Sequence, residues 1–214
     1  MSENTTFDVL AAHLLQLGLQ PGEHQRQIVA IAGAPGAGKS TLVARLEATL
    51  NAQRSGMAAT VPMDGFHFDD GVLEAMGRRA FKGAPDTFDV GGFGAVLKRL
   101  KANTEAQIAV PVFDRGLELS RGSARLILQG IRIVLVEGNW LLLDEEPWRD
   151  IHALYDVTVM IEVGEDELRQ RLTQRWERYG LSDEAMAHKL DGNDLPNGRH
   201  VTQKSVTADF VVGN

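Results

Sequence analysis

The stretch IAGAPGAGKSTL, Ile31 to Leu42, sets three glycines, a proline and a lysine in one short turn between two apolar runs. The run before it, Ile28 to Ala32, has the length of a buried strand, and Leu42, Val43, Leu46 and Leu50 after it share one face of a helix. A strand, a glycine-rich turn and a helix in that order leave few architectures open. Gly33, Gly38, Lys39 and Ser40 satisfy the spacing G-x-x-x-x-G-K-[ST], and Thr41 adds a second hydroxyl. Bare backbone lets several amide N–H groups converge on one anion, with the positive end of the following helix behind them. The expected occupant is a nucleoside triphosphate with Mg²⁺. Gly33, Ala34, Pro35, Gly36, Ala37 and Gly38 supply backbone, Lys39 reaches the β- and γ-phosphates, Ser40 holds the metal, and Thr41 closes the cradle.

The remaining pattern extends this strand and helix into an alternating chain. Apolar runs at Ala58 to Met63, Ile133 to Val136 and Val157 to Val163 read as buried strands, with helical stretches at Phe93 to Lys101 and Asp166 to Tyr179 between and after them. Such alternation predicts an α/β fold, a mostly parallel sheet with helices on both faces. Phe7, Leu10, Ala11, Leu14 and Leu15 predict an amphipathic helix within residues 1–24 that stops near Gly18. Residues 105–130, with Val110 to Leu128 at their centre, read as an inserted hairpin, and residues 165–192 as a lid. Nothing divides the 214 residues into two units, so a single domain is expected.

Composition excludes several classes. A formal charge of −7 argues against a nucleic-acid partner, which calls for a basic surplus. With no cysteine, disulfides, thiolate metal ligands and a cysteine nucleophile are ruled out. No Lys or Arg precedes Arg26, so a charged targeting start is not expected. The longest apolar stretch, Ile131 to Leu143, carries Arg132 and Glu137 and is too short to span a bilayer. The expectation is a soluble cytoplasmic protein without a membrane partner; a homodimer is left open.

Three further stretches carry chemistry. In VPMDGFHFDD, Asp64 follows an apolar run, and groups beyond the carboxyl ends of parallel strands face the ligand crevice. A carboxylate there accepts the proton of an attacking hydroxyl or helps hold Mg²⁺; the pair with Gly65 fits a plain turn equally well. In IRIVLVEGNWLLL, Glu137 ends the most apolar strand, placed to organise the metal or, alternatively, to reach solvent. In LRQRLTQRWERYG, Arg171, Arg175 and Arg178 lie along one helical face, with Arg169 beside them. Together they could close over a triphosphate, or form a solvated surface with Glu167 and Glu177.

With these elements in order, the chain resembles the phosphoribulokinase/uridine kinase superfamily of P-loop kinases, close to its pantothenate-kinase-like branch. The matching stretches are GAPGAGKST at 33–41, MDGFH at 63–67, KGAPDTFD at 82–89, PVFDR at 111–115, VEGNWLLL at 136–143 and NDLPN at 193–197. The resemblance implies the P-loop NTPase fold and ATP-dependent phosphorylation of a hydroxyl on a small molecule, such as a sugar like fructose, a pantothenate-like compound or another alcohol. It puts Asp64 in the place of the family's catalytic base and an arginine lid around Arg171 to Arg178.

Departures from the family bear on the acceptor. Gly83 stands where uridine kinases carry an acidic residue for ribose hydroxyls, and Phe113 where they use a tyrosine, so uridine is disfavoured. No dedicated sugar-phosphate signature supports phosphoribulokinase activity. Arg78, Arg79, Lys82, Arg115 and Arg121 form a basic group that would suit a carboxylate or phosphate on the acceptor, or would serve as surface charge. His67 could hydrogen-bond the acceptor, orient Asp64 or cap the next helix. Asp194 and Asn197 could lie near the adenine or in a polar turn before the last strand. A GTPase is the rival class, but its guanine motif has only an imperfect echo in HKLD at His188 to Asp191, and DVGG at Asp89 follows a polar loop. A non-catalytic ATP-binding module is the third option.

Overall fold

The computed structural model describes residues 2–20 and 26–213. In chain order its first elements are β1 (Glu3–Thr5), α1 (Phe7–Leu19), β2 (Gln27–Gly33), α2 (Lys39–Gln53) and β3 (Ala58–Pro62). A 3₁₀ turn, Met63–Phe66, leads to α3 (Asp70–Ala75), α4 (Val90–Ala102), β4 (Gln107–Asp114), β5 (Leu119–Leu128) and β6 (Ile133–Gly138). Then come β7 (Val157–Glu162), α5 (Glu165–Arg178), α6 (Asp183–Lys189), α7 (Leu195–Lys204) and β8 (Phe210–Gly213).

Six strands form one sheet in the order β1-β8-β7-β2-β6-β3, and every neighbouring pair is parallel. A strand buried on both faces needs apolar residues without alternation, which is what β2 and β6 carry. Their alternate side chains divide between two cores. Ile28, Ala30, Ala32, Val134 and Val136 pack with Phe93, Leu97 and Leu100 of α4 and Val201 of α7. On the other face, Val29, Ile31, Ile133 and Leu135 pack with Leu10 and Leu14 of α1, Val43 and Leu46 of α2, and Leu168 and Leu172 of α5. The α/β architecture expected from the sequence is therefore present, with helices on both faces.

Two segments carry detail beyond the sequence pattern. The N-terminal helix occupies Phe7–Leu19 and is preceded by a strand; residues 1 and 21–24 of the expected 1–24 span lie outside the described residues. Glu3–Thr5 has no apolar pattern, and its pairing with β8 rests on backbone, so periodicity could not reveal it. Asn197 lies in α7 and Asp194 in a π-helical turn, Leu190–Asp194, where a plain polar turn was one expectation.

The inserted hairpin is β4 and β5, a separate antiparallel pair. Its root is pinned by Arg26, a buried guanidinium donating to the carbonyls of Leu128 (2.8 Å), Ile131 (3.0 Å) and Leu100 (3.1 Å). Its other end rests on the 3₁₀ turn. A Cβ added at Gly65 would come within 2.5 Å of the Pro111 carbonyl oxygen, so only glycine allows this approach. Among the described residues, no helix is long and apolar enough to cross a membrane.

Candidate functional site

The glycine turn joins the carboxyl end of β2 to the first residue of α2. Gly36 and Gly38 hold φ of 80° and 93°, the left-handed region that a side chain disfavours. Gly38 occupies the N-cap of α2 and no side chain caps the helix, so the first amides face outward without an intrahelical partner. Such a terminus is an anion site. Lys39 is only 9% exposed, and its ammonium donates to Gly33 O and Ala34 O (3.0 Å each) and to Asn139 Oδ1 (2.6 Å). Burial lowers its pKa, while the nearby Glu137 and Asp64 carboxylates act in the opposite direction.

Asn139 was not among the residues singled out from the sequence. It stands two positions after Glu137, a polar amide inside an otherwise apolar run, and that contrast was the available signal.

Glu137 sits in the ladder between Ile31 of β2 and Pro62 of β3. This register brings it to the cradle, where its Oε1 accepts a 3.3 Å hydrogen bond from Ser40 Oγ. Burial raises the Glu137 pKa, partly offset by Lys39 and Ser40. Glu137 is thus partly buried at the cradle, with Ser40 as its partner. Asp64 lies two residues beyond Pro62, in the 3₁₀ turn, close enough to influence both Lys39 and Glu137 electrostatically. Its Oδ2 accepts a 2.8 Å bond from Arg115 Nη2 at the end of the hairpin. Ser40, Glu137, Lys39 and Asp64, predicted separately, thus gather at the carboxyl ends of β2, β6 and β3.

The arginines of α5 divide. Arg175 is coupled electrostatically to the site: burial lowers its pKa, Arg115 acts in the same direction and Asp64 against it, and its own charge is felt at Lys39. Its guanidinium lies 5.1 Å from the Trp176 ring and forms no ion pair among the described residues. Arg171 instead donates to Glu167 Oε1 at 2.8 Å, Arg169 pairs with Asp191, and Arg178 donates to Gln174 O. Behind Arg175, Asp194 accepts a 2.7 Å bond from Trp176 Nε1. Asn197 donates to Asn193 Oδ1 on the preceding turn (3.0 Å).

The loop over residues 82–89 is held against the sheet end by two fully buried tryptophans. Trp140 Nε1 donates to Gly83 O at 2.9 Å and Trp148 Nε1 to Pro85 O at 3.0 Å. His67 stacks between Phe88 (4.0 Å) and Phe113 (5.0 Å), and its Nδ1 lies 2.8 Å from the Asp64 carbonyl oxygen. It does not cap the next helix, because Asp69 caps α3. Within the basic group, Arg78 pairs with Asp86, Arg79 with Asp70 and Arg121 with Asp114. Lys82 bonds Asp70 and Glu118 O and lies 5.2 Å from the Phe113 ring. The structure also accounts for DVGG, since Asp89 caps α4 by accepting from Gly92 N.

Comparison with known proteins places this geometry in context. Residues 28–212 match the Phosphoribulokinase / Uridine kinase family. A "putative uridine kinase" of Schizosaccharomyces pombe is 34% identical over 198 residues, 88% of this chain and 83% of that protein. The uncharacterized protein YggC of Escherichia coli is 34% identical over 202 residues, covering 94% of this chain and 83% of its own. Among solved structures, a "putative fructose transport system kinase" from a Silicibacter species is 40% identical, superposes with a TM-score of 0.88 and covers 97% of this chain and 99% of its own.

Proposed function

The chain belongs to the phosphoribulokinase/uridine kinase family of P-loop kinases, and on that premise we propose that it transfers the terminal phosphoryl group of ATP to a hydroxyl of a small molecule. The observation that carries this reading is the convergence of Lys39, Ser40, Glu137 and Asp64 at one sheet end. A cradle without an acidic group beyond it would bind nucleotide and stop there.

The donor set fits Mg²⁺. Ser40 Oγ and Glu137 are adjacent hard oxygen donors, and among the described residues no group of three or more His, Cys, Asp or Glu forms a cage. A magnesium site of this kind takes its other ligands from water and phosphate, and the ion neutralises charge on the phosphates. Ser40 and Glu137 would hold it, with Asp64 a candidate further contact.

In the transfer step the acceptor oxygen bonds to the terminal phosphorus, and the bond to the bridging oxygen breaks with its electron pair leaving on ADP. Asp64 takes the hydroxyl proton. Lys39 and Arg175 offset charge on the transferring group, and the backbone amides of the turn hold the remaining phosphates in place. His67, half-buried against Phe88, has its pKa lowered by burial and is kept as a candidate acceptor contact. Asn197, at the start of α7, is kept as a candidate contact to the nucleotide.

The relative described as a fructose transport system kinase makes sugars the first acceptors to screen. ADP release measured with ATP and with GTP, across sugars, sugar acids and nucleosides, tests the proposal. ATP-selective, acceptor-dependent ADP formation supports it; GTP preference or acceptor-independent hydrolysis overturns it.

A further inference from the structure

The basic group around the acceptor side is largely neutralised from within, and Arg115 is the exception that matters. Arg78, Arg79 and Arg121 each pair with an aspartate outside the catalytic cluster. Lys82 is tied down by Asp70 and by the Glu118 carbonyl, with its side chain 14% exposed. Arg115 gives one donor, Nη2, to Asp64 Oδ2 and makes no other hydrogen bond among the described residues, so most of its five N–H donors stay open there. Asp64 in turn uses only Oδ2 of its carboxylate, leaving Oδ1 for a hydroxyl.

This arrangement places an open anion receptor beside the proposed proton acceptor. The Arg115 side chain is 48% exposed, so a ligand can reach it, and its guanidinium carbon lies 5.9 Å from the Phe113 ring centroid. Lys82 sits 5.2 Å from the same ring, adding positive charge from a second direction. Arg115 and Arg175 also repel one another. Like Arg175, Arg115 is felt electrostatically at Lys39.

Resting on the kinase reading above, we infer that the acceptor is anionic: a small hydroxycarboxylate or hydroxyalkyl phosphate whose charged oxygens bind the free donors of Arg115 while its hydroxyl faces Asp64. Because one 2.8 Å ion pair links the two receptors, the anion and the reacting hydroxyl lie only a few bonds apart in the ligand. With hydrogen bonds of ordinary length, their oxygens are separated by about 5 Å. The anion is a spectator: the hydroxyl oxygen gains the phosphoryl group, Asp64 takes its proton, and ADP leaves. A neutral polyol leaves the guanidinium's open donors to water. Planar guanidinium donors match carboxylate and phosphate geometry, and a charge-assisted pair is stronger than a neutral one.

Two matched series test this in the intact protein with MgATP. Glycerol is compared with dihydroxypropanoate and glycerol phosphate, and fructose with gluconate and the fructose monophosphates; product is identified by mass. The carboxylate and phosphate arms separate the two sources of charge. In wild type, an anionic member is expected to exceed its neutral counterpart by about tenfold or more in kcat/KM. Arg115→Gln, which can still hydrogen-bond Asp64, should bring that ratio close to one through the acceptor KM, leaving the KM for MgATP nearly unchanged. Arg115→Lys should restore part of the preference. Equal or greater use of the neutral members, a ratio indifferent to Arg115→Gln, or an effect falling on the MgATP KM overturns the inference. If no member is phosphorylated, calorimetry with an ATP analogue present decides. Anion binding lost in Arg115→Gln sustains the inference, and absent anion binding overturns it. Failure to bind ATP at all overturns the kinase reading instead.

Discussion

Asn139 Oδ1 lies 2.6 Å from Lys39 Nζ, so the lysine of the phosphate cradle is oriented by an amide on the neighbouring strand's exit. The other two acceptors, Gly33 O and Ala34 O, belong to the turn itself. Asn139 therefore ties the cradle to the segment carrying Glu137. A hydrogen bond to a charged group contributes ~1.5–3 kcal/mol, and 1.4 kcal/mol is about tenfold in affinity. Asn139→Ala is expected to weaken MgATP binding by about tenfold or more while the fold persists. Isothermal titration checks this, and an unchanged dissociation constant would remove Asn139 from the site.

Arg175 and Arg171 are four residues apart on α5 but differ in their surroundings. Arg175 is half-buried and, among the described residues, has no ion pair, whereas Arg171 is occupied by Glu167. Removing a group that stabilises transferring charge commonly costs ~10²–10³ in kcat. Arg175→Ala should show a loss of that order and Arg171→Ala a change within about threefold. Steady-state kinetics on both variants decide, and equal losses would contradict the division.

The sequence made the central features readable because each followed a strong local rule. The glycine spacing fixed the cradle, the apolar run before Glu137 marked a strand exit, and the spacing of α5 put its arginines on one helix. Which of those arginines faces the site depended on Glu167 and Asp191 as partners, and partner choice is a tertiary property. Asn139 was hidden for the same reason: its role exists only once β6 lies beside β2. The pairing of Arg115 with Asp64 joins residues 51 positions apart through a hairpin fold-back that no periodicity describes.

Burial raises the pKa of Asp194, outweighing the hydrogen bond from Trp176. The folded chain therefore holds this proton more tightly than the unfolded chain, whose aspartates titrate near ~3.9. Its contribution favours folding fully below that value and is lost as pH rises through the folded pKa. Asp194→Asn keeps an acceptor for Trp176 Nε1 and removes the titration. The variant should gain stability over wild type as pH rises from about 4 to 7. Denaturant midpoints at both pH values check the direction, and a gap that narrows with rising pH would contradict it.

The most direct test of the account is Asp64→Asn, since the amide preserves shape while removing the base. MgATP titration and single-turnover transfer to an acceptor that wild type phosphorylates are measured on the same preparation. Loss of a general base commonly costs ~10²–10⁴ in rate. The account predicts MgATP affinity within a few-fold of wild type and transfer slowed by that factor. Transfer at the wild-type rate would contradict it.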